Sequence, residues 1–440
     1  LFRSLRHRNF RLFLGGQLIS LIGTWMQSVA QSWLVYRLTG SAVLLGTVGF
    51  AGQIPVFLLS MFGGTVADRF NRRNVVITTQ AVSMMLAFIL ATLTFSGAIQ
   101  VWQVMTLAAL LGVVNAFDIP ARQSFLLEMV TRDDLPNAIA LNSSMFNGAR
   151  IAGPAIAGVL VGAIGEGWCF LANAVSYVAV IAGLLMMRIE RDSRAREAKS
   201  IRENIVEGLR FVAHTRPIWT ILVLLGLVSL VGTPYTVLMP VFAGEILHGG
   251  PSALGLLMAS TGFGALTGAL LLAGRSGFRG LGRLIGASAI AFGGTLILFS
   301  LSRNLAVSVA LLYPVGLSMM LQMASSNTLI QAMTPDHLRG RVMAVYSMVF
   351  MGAAPFGALF AGSMANLLSA PGVVALGGSW SIVAGIWFAR VLPRFRAQAR
   401  QLIVARQAGA GDPAEETTLG FSLAQGRPAT EDAAARGGWE

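Results

Sequence analysis

Twelve apolar runs of about 20 residues or more, joined by short polar connections, occupy most of this 440-residue chain, and each is long enough to cross a hydrocarbon layer roughly 30 Å thick as a helix. They fall near residues 10–36, 42–66, 74–95, 101–121, 136–161, 167–188, 217–243, 252–273, 282–301, 305–330, 341–364 and 372–392. The composition agrees: 55% of residues are hydrophobic, 12% are charged and the mean hydropathy is +0.69. An ordinary water-soluble domain does not carry that balance. The expected fold class is therefore an all-α membrane protein with twelve transmembrane helices.

The runs come as two sets of six. Gly64-Thr65-Val66-Ala67-Asp68-Arg69-Phe70-Asn71-Arg72-Arg73, between the second and third runs, has a faded copy in Ala273-Gly274-Arg275-Ser276-Gly277, between the eighth and ninth. Thr131-Arg132-Asp133-Asp134-Leu135 is echoed by Thr334-Pro335-Asp336-His337-Leu338, and Gly148 with Gly153 by Gly352 with Gly357. Two pseudo-symmetric six-helix bundles follow, 1–187 and 217–396, with a linker at 188–216 and a tail at 397–440. In the linker Ile201, Ile205, Leu209 and Val212 recur at helical spacing opposite Arg202, Glu203 and Arg210, which suits an amphipathic helix on the membrane surface. The tail is poor in large apolar residues and is expected to be disordered. Duplicated sets of spans are an arrangement used by transporters, which hold their substrate near mid-bilayer between the repeats.

A net charge of +13 invites a nucleic-acid reading, but the basic residues are sorted by topology. Of the 32 Lys and Arg, all except Arg37, Arg150 and Arg303 fall on the side of the two termini when the twelve runs are threaded back and forth. The positive-inside rule then places both termini in the cytoplasm of a multi-pass protein, and the same count requires an even number of crossings. The lone Cys169 cannot form an intramolecular disulfide. The four histidines all fall in loops or at span ends, so neither a metal nor a cofactor is expected.

Polar side chains are expensive against lipid, so their helical phase marks the face turned to protein or to a water-filled cavity. Gln17, Thr24, Gln27, Ser28 and Gln31 form one stripe on the first run, beside Gly16, Ser20 and Gly23. Ser143, Asn147, Arg150 and Pro154 form another on the fifth. Gln53, Asn115, Asn173, Tyr177, Tyr235, Gln322, Asn327 and Tyr346 are further candidates for a cavity lining. Bridging between packed helices, worth on the order of 1 kcal/mol each, is the competing use of such residues. Arg150 is the one charge placed near mid-bilayer, where a guanidinium must find a carboxylate, backbone carbonyls or water and is a functional candidate by default. Asp118 sits nearer the cytoplasmic end of the fourth run and has i, i+4 spacing to Arg122, the spacing of a local ion pair. Pro154 removes an amide donor in mid-span and should kink its helix. Gly158 with Gly162, and Gly264 with Gly268, are small-xxx-small steps that permit close helix contact.

Gly64 to Arg73 resembles the cytoplasmic loop signature of the major facilitator superfamily, with Asn71 where that family usually has Gly. The resemblance implies a conformational latch built from Asp68, Arg69, Arg72 and Arg73, one-sided because Gly274 stands where a second-half Asp would be. Gly148 to Gly158, containing Gly153-Pro154, resembles the fifth-span signature of exporters in that superfamily. Arg37-Leu38-Thr39-Gly40-Ser41, Pro120-Ala121-Arg122-Gln123, Glu207-Gly208-Leu209-Arg210 and Leu338-Arg339-Gly340-Arg341-Val342 look like the bacterial branch that includes the enterobactin exporter and macrolide efflux pumps.

The combined expectation is a bacterial inner-membrane exporter of a small amphipathic compound, coupled to protons, working as a monomer by alternating access, with no nucleic-acid partner. Asp118, Arg122, Arg150, Gly153 and Pro154 join the loop residues as expected coupling or hinge positions. Gln27, Gln31, Asn115, Asn147, Tyr235, Gln322 and Tyr346 are the expected substrate contacts. An importer or facilitator would share this fold; a membrane-embedded enzyme or a non-transporting receptor are the rival classes.

Overall fold

The structure, a computed structural model, describes residues 3–187, 201–275, 277–278 and 280–408. Much of the expected linker (188–200) and most of the expected tail (409–440) lie outside the described residues. The first half holds α1 (Arg8–Thr39), α2 (Ala42–Arg69), α3 (Arg72–Phe95), α4 (Val101–Leu126), α5 (Leu135–Ile164) and α6 (Glu166–Leu185). A short α7 (Ile201–His214) precedes α8 (Arg216–Ile246), α9 (Gly250–Ala273), α10 (Leu281–Leu301) and α11 (Leu305–Met333). The helical stretch Arg339–Ala408 would be about 105 Å long if straight, far more than one bilayer crossing. It is broken at Ser369, whose φ of 63° is left-handed, and so forms two helices, α12 (339–368) and α13 (370–408). Counted this way, the apolar helices among the described residues make twelve spans, six in each half. The last helix runs on to Ala408, where the sequence reading begins a tail at 397, because Ala399 and Leu402 are buried in the core and extend its packed face.

Local chemistry sets the ends. Gly40 closes α1 in the left-handed conformation at φ 58°, and the Ser41 hydroxyl then accepts the Leu44 amide at the start of α2. Asn71 caps α3 in the same way, accepting the Asn74 amide at 3.2 Å, which gives a local reason for Asn at this place in the loop. α8 is less regular: two π-helical turns, Val228–Gly232 and Phe242–Ile246, flank the short α-helical piece Tyr235–Val241.

The duplication is visible in the packing. In the first half α2 packs on α4 and α3 on α6; in the second α9 packs on α11 and α10 on α13. The halves meet through two equivalent pairs, α5 with α9 and α2 with α12. Glycine permits both seams: a Cβ on Gly255 would lie 2.6 Å from the Gly158 Cα, and one on Gly362 would lie 2.6 Å from the Ala42 carbonyl oxygen. The seam contacts extend from the end opposite the termini to the helix midpoints, where Gly262 meets the Arg150 carbonyl and Gly352 meets the Phe57 ring. Nearer the termini, Ser143 and Ser144 on α5 and Ser347 and Met348 on α12 are exposed. The halves are thus closed on the far side and part toward the termini. The α7 helix packs on the second half: Glu207 pairs with Arg341 at 2.5 Å, and a Cβ on Gly208 would meet the Arg341 carbonyl. The side chains of residues 201–205 at its start lie outside the described set.

Candidate functional site

Between the halves lies a cavity of about 510 Å³ lined from α1, α2, α4, α5, α6, α8 and α9. Its volume suits a drug-sized ligand, and its wall mixes aliphatic, aromatic and amide groups. Among the described residues, Arg150 is the single charged side chain on that wall. Helical phase explains the α1 contribution: Thr24, Gln27, Ser28 and Gln31 share one face, and Trp25, three residues before Ser28, stands beside them.

Of the expected substrate contacts, Gln27, Gln31, Asn115 and Tyr235 line this cavity, as do Arg150 and Pro154. Gln53, Asn173 and Tyr177 line it too. Gln27 is held by the Asn173 amide, which donates to its Oε1 at 2.7 Å, so one α1–α6 crosslink fixes two lining residues. Asn147, Gln322 and Tyr346 are placed elsewhere. The Asn147 amide donates to the Ser143 carbonyl at 2.9 Å, Gln322 is buried in α11, and the Tyr346 hydroxyl donates to the Met323 carbonyl at 3.2 Å. Only Tyr346 bonds a neighbouring helix, the competing use anticipated for such residues; Asn147 bonds its own helix, and the buried Gln322 Nε2 makes no hydrogen bond. Gly153 packs against Trp25 and the Ile22 carbonyl, bringing α5 close to α1 behind the cavity wall.

Arg150 is half-buried at the middle of α5, with its guanidinium carbon 5.7 Å from the centre of the Trp25 ring. Among the described residues it makes no ion pair with a carboxylate. Tyr235 is 3% exposed, and its hydroxyl, close to Arg150 and Thr261, makes no hydrogen bond of ordinary geometry. The Thr261 hydroxyl donates its proton to the Leu257 carbonyl at 3.1 Å.

Asp118 lies outside the lining, buried among α1, α3 and α4. Its Oδ1 accepts from the Thr79 hydroxyl at 2.8 Å and the Gln80 amide at 2.9 Å, and its Oδ2 faces Arg122 at 3.3 Å. Arg122 in turn donates to Gln17 at 3.0 Å. The loop residues stay within the first half: Arg72 bonds Glu128 at 2.5 Å, with Asp68 at 3.8 Å, and Arg73 donates to the Leu184 and Leu185 carbonyls at the end of α6. Arg69 and Asp68 are exposed.

Two clusters escaped the sequence reading. The Tyr36 hydroxyl donates to Glu245 across the halves, next to the Arg37–Glu166 pair at 2.7 Å. At the opposite end the fully buried Asp134 carboxylate is ringed by Arg3 at 2.9 Å, Arg6 at 2.6 Å and His7 at 2.7 Å. The hydrogen bond from His7, helped by Arg6 and Arg3, holds this carboxyl below its usual range against the opposing effect of burial. Only the charge types, not the pairing, could be read from the sequence.

The family profile described as "Transmembrane secretion effector" (MFS_3) matches residues 1–407. The staphyloferrin A transporter of Staphylococcus aureus is 25% identical over 352 residues, 79% of this chain and 87% of that protein. The multidrug efflux pump Tap of Mycolicibacterium fortuitum is 27% identical over 368 residues, covering 81% and 88%. The macrolide efflux protein A of Streptococcus pyogenes is 23% identical over 381 residues, covering 84% and 93%. Among solved structures, the nucleoside transporter NupG superposes with a TM-score of 0.68 at 13% identity, over 88% of this chain and 99% of that one. A bacterial homologue of the lysosomal transporter Spinster, inward-facing and unoccupied, gives 0.64 at 15% identity over 90% and 98%. These structural likenesses concern the fold.

Proposed function

Because the chain belongs to the transmembrane secretion effector family of the major facilitator superfamily, and is therefore a multi-pass membrane transporter of small molecules, we propose that it exports a small amphipathic compound from the bacterial cytoplasm across the inner membrane. The observation that carries this reading is the single cavity wall built from both halves, part apolar and part amide, with Arg150 at its middle. A pocket shared between repeats changes its exposure when the halves rock, which is what alternating access needs. With the termini in the cytoplasm, the shape described here is the state open to the inside, ready to load cargo for export. The drug and macrolide efflux relatives support the direction and an amphipathic cargo.

The energy source we assign to the proton gradient. Among the described residues no carboxylate lines the cavity, so the proton carrier lies one layer behind it. We assign the link between protonation and helix movement to Asp118, supported by its burial and its connection to α1 through Arg122 and Gln17. Asp68, Arg69, Arg72 and Arg73 would act as a latch that engages when the cytoplasmic ends close. The test is efflux from preloaded cells with and without a protonophore. Efflux that stops when the gradient collapses supports coupled export; a rate that ignores the gradient leaves facilitated diffusion. Accumulation against the outside concentration in oriented vesicles would mean import.

A further inference from the structure

The cavity's polarity is lopsided in a way that restricts its cargo. Among the described residues its wall holds one cation, Arg150, and no Asp or Glu. A guanidinium in a low-dielectric setting without an anion is costly. Trp25 offers its ring face 5.7 Å away, which favours the cation but satisfies none of its N–H donors. Close by on the same wall, Tyr235 is 97% buried with its hydroxyl making no hydrogen bond, a second donor near Arg150. A planar, five-donor cation beside a free phenolic donor matches a carboxylate or similar oxyanion, which accepts from both and neutralises the charge. The rest of the wall, including Met239, Met258 and Val237, suits an apolar body.

From this constellation, and resting on the reading of this cavity as the transport site, we propose that Arg150 and Tyr235 form an oxyanion subsite and that the preferred cargo is an amphipathic compound carrying a negatively charged group. A cationic amphiphile would bring a second positive charge into a space with no carboxylate to meet it. Two like charges in such a setting repel strongly.

The test is equilibrium binding to the purified full-length protein in detergent, read from dansyl fluorescence with three probes of one body: anionic dansylglycine, neutral dansylglycinamide and cationic dansylcadaverine. Dansylglycine should bind about tenfold more tightly than the amide, and dansylcadaverine most weakly. Arg150→Gln should bring dansylglycine down to the level of the amide while leaving the amide within about twofold of wild type, which also shows an intact cavity. Arg150→Lys should keep part of the preference. Tyr235→Phe should weaken dansylglycine about threefold and spare the amide. Equal affinity for the three probes, no measurable dansylglycine binding, or an anion preference that survives Arg150→Gln would overturn the proposal. Binding in detergent has no direction, so a protein found to import would defeat the export reading and leave the charge preference to stand or fall by itself.

Discussion

The Tyr36 hydroxyl donates to the Glu245 carboxylate at 3.1 Å, joining the last turn of α1 to the second π-helical turn of α8 across the two halves. The ring of Tyr36 also lies directly on Gly244, where a Cβ would have to displace it. This contact sits on the closed side of the molecule and has to separate before the cavity opens there. Tyr36→Phe removes the hydrogen bond and keeps the ring. It should favour the alternate state by about 1 kcal/mol, roughly fivefold in population. A cysteine placed at Gln31 should then label several-fold faster with a membrane-impermeant maleimide from outside. Native Cys169 is buried and gives little background. Unchanged labelling would mean the contact does not hold the gate.

The seam between α5 and α9 rests on the facing pair Gly158 and Gly255. Valine at either position must push the helices apart, because the built Cβ already lies within 2.9 Å of backbone on the other helix. Transport by Gly158→Val or Gly255→Val should fall more than about tenfold with normal membrane insertion, as close packing of this kind gives way only by moving backbone. Gly148 provides the control. A Cβ there meets nothing within 4 Å, so Gly148→Ala should transport like wild type.

Asp118 accepts two neutral hydrogen bonds and faces Arg122, so Asp118→Asn leaves that cation without its partner and turns one acceptor into a donor. A loss of about 1–3 kcal/mol is expected, measurable as earlier thermal unfolding in detergent. If Asp118 carries the coupled proton, residual transport by this variant should no longer respond to a protonophore. A variant as gradient-dependent as wild type would move the proton site elsewhere.

Asp134 ties the amino-terminal segment to the α4–α5 connection. Its carboxyl is held below the usual range in the folded protein, so its contribution is complete above the unfolded value of about 4 and disappears as pH falls through the lower folded value. Asp134→Asn should therefore unfold at lower temperature than wild type near pH 7, with the gap closing in strong acid. A gap that stays constant down to pH 2 would show that the contact stabilises by shape rather than by charge.

Arg150→Ala, inserted normally, should lower flux of an anionic cargo by about tenfold or more, since nothing else on the described wall carries charge. Undiminished transport would return Arg150 to a packing role.

The apolar runs and their duplication made the fold legible, because crossing a bilayer demands long helices and a repeated segment refolds into a repeated contact pattern. Gln27, Gln31 and Arg150 could be assigned to an inner face by helical phase. Phase alone does not distinguish a cavity from a neighbouring helix, which is why Gln322 and Tyr346 look the same in sequence as Gln27 and yet sit against protein. The Tyr36–Glu245 and His7–Asp134 contacts join residues far apart in the chain, and periodicity carries no information about such partners. Composition likewise hid the extension of α13 to Ala408, since a stretch rich in alanine and arginine reads as tail although Ala399 and Leu402 pack into the core.

Each π-helical turn of α8 houses one residue more than an α-helical turn would, and a surplus residue rotates everything beyond it by about 100°. Tyr235 lies just after the first bulge and Glu245 within the second, so the direction in which each side chain points depends on a local miscount in the winding. Excising one residue from Val228–Gly232 would keep every other amino acid of the helix while swinging the phenol away from Arg150. The specificity of the pocket is thus encoded partly in how many residues the helix holds, and not solely in which ones.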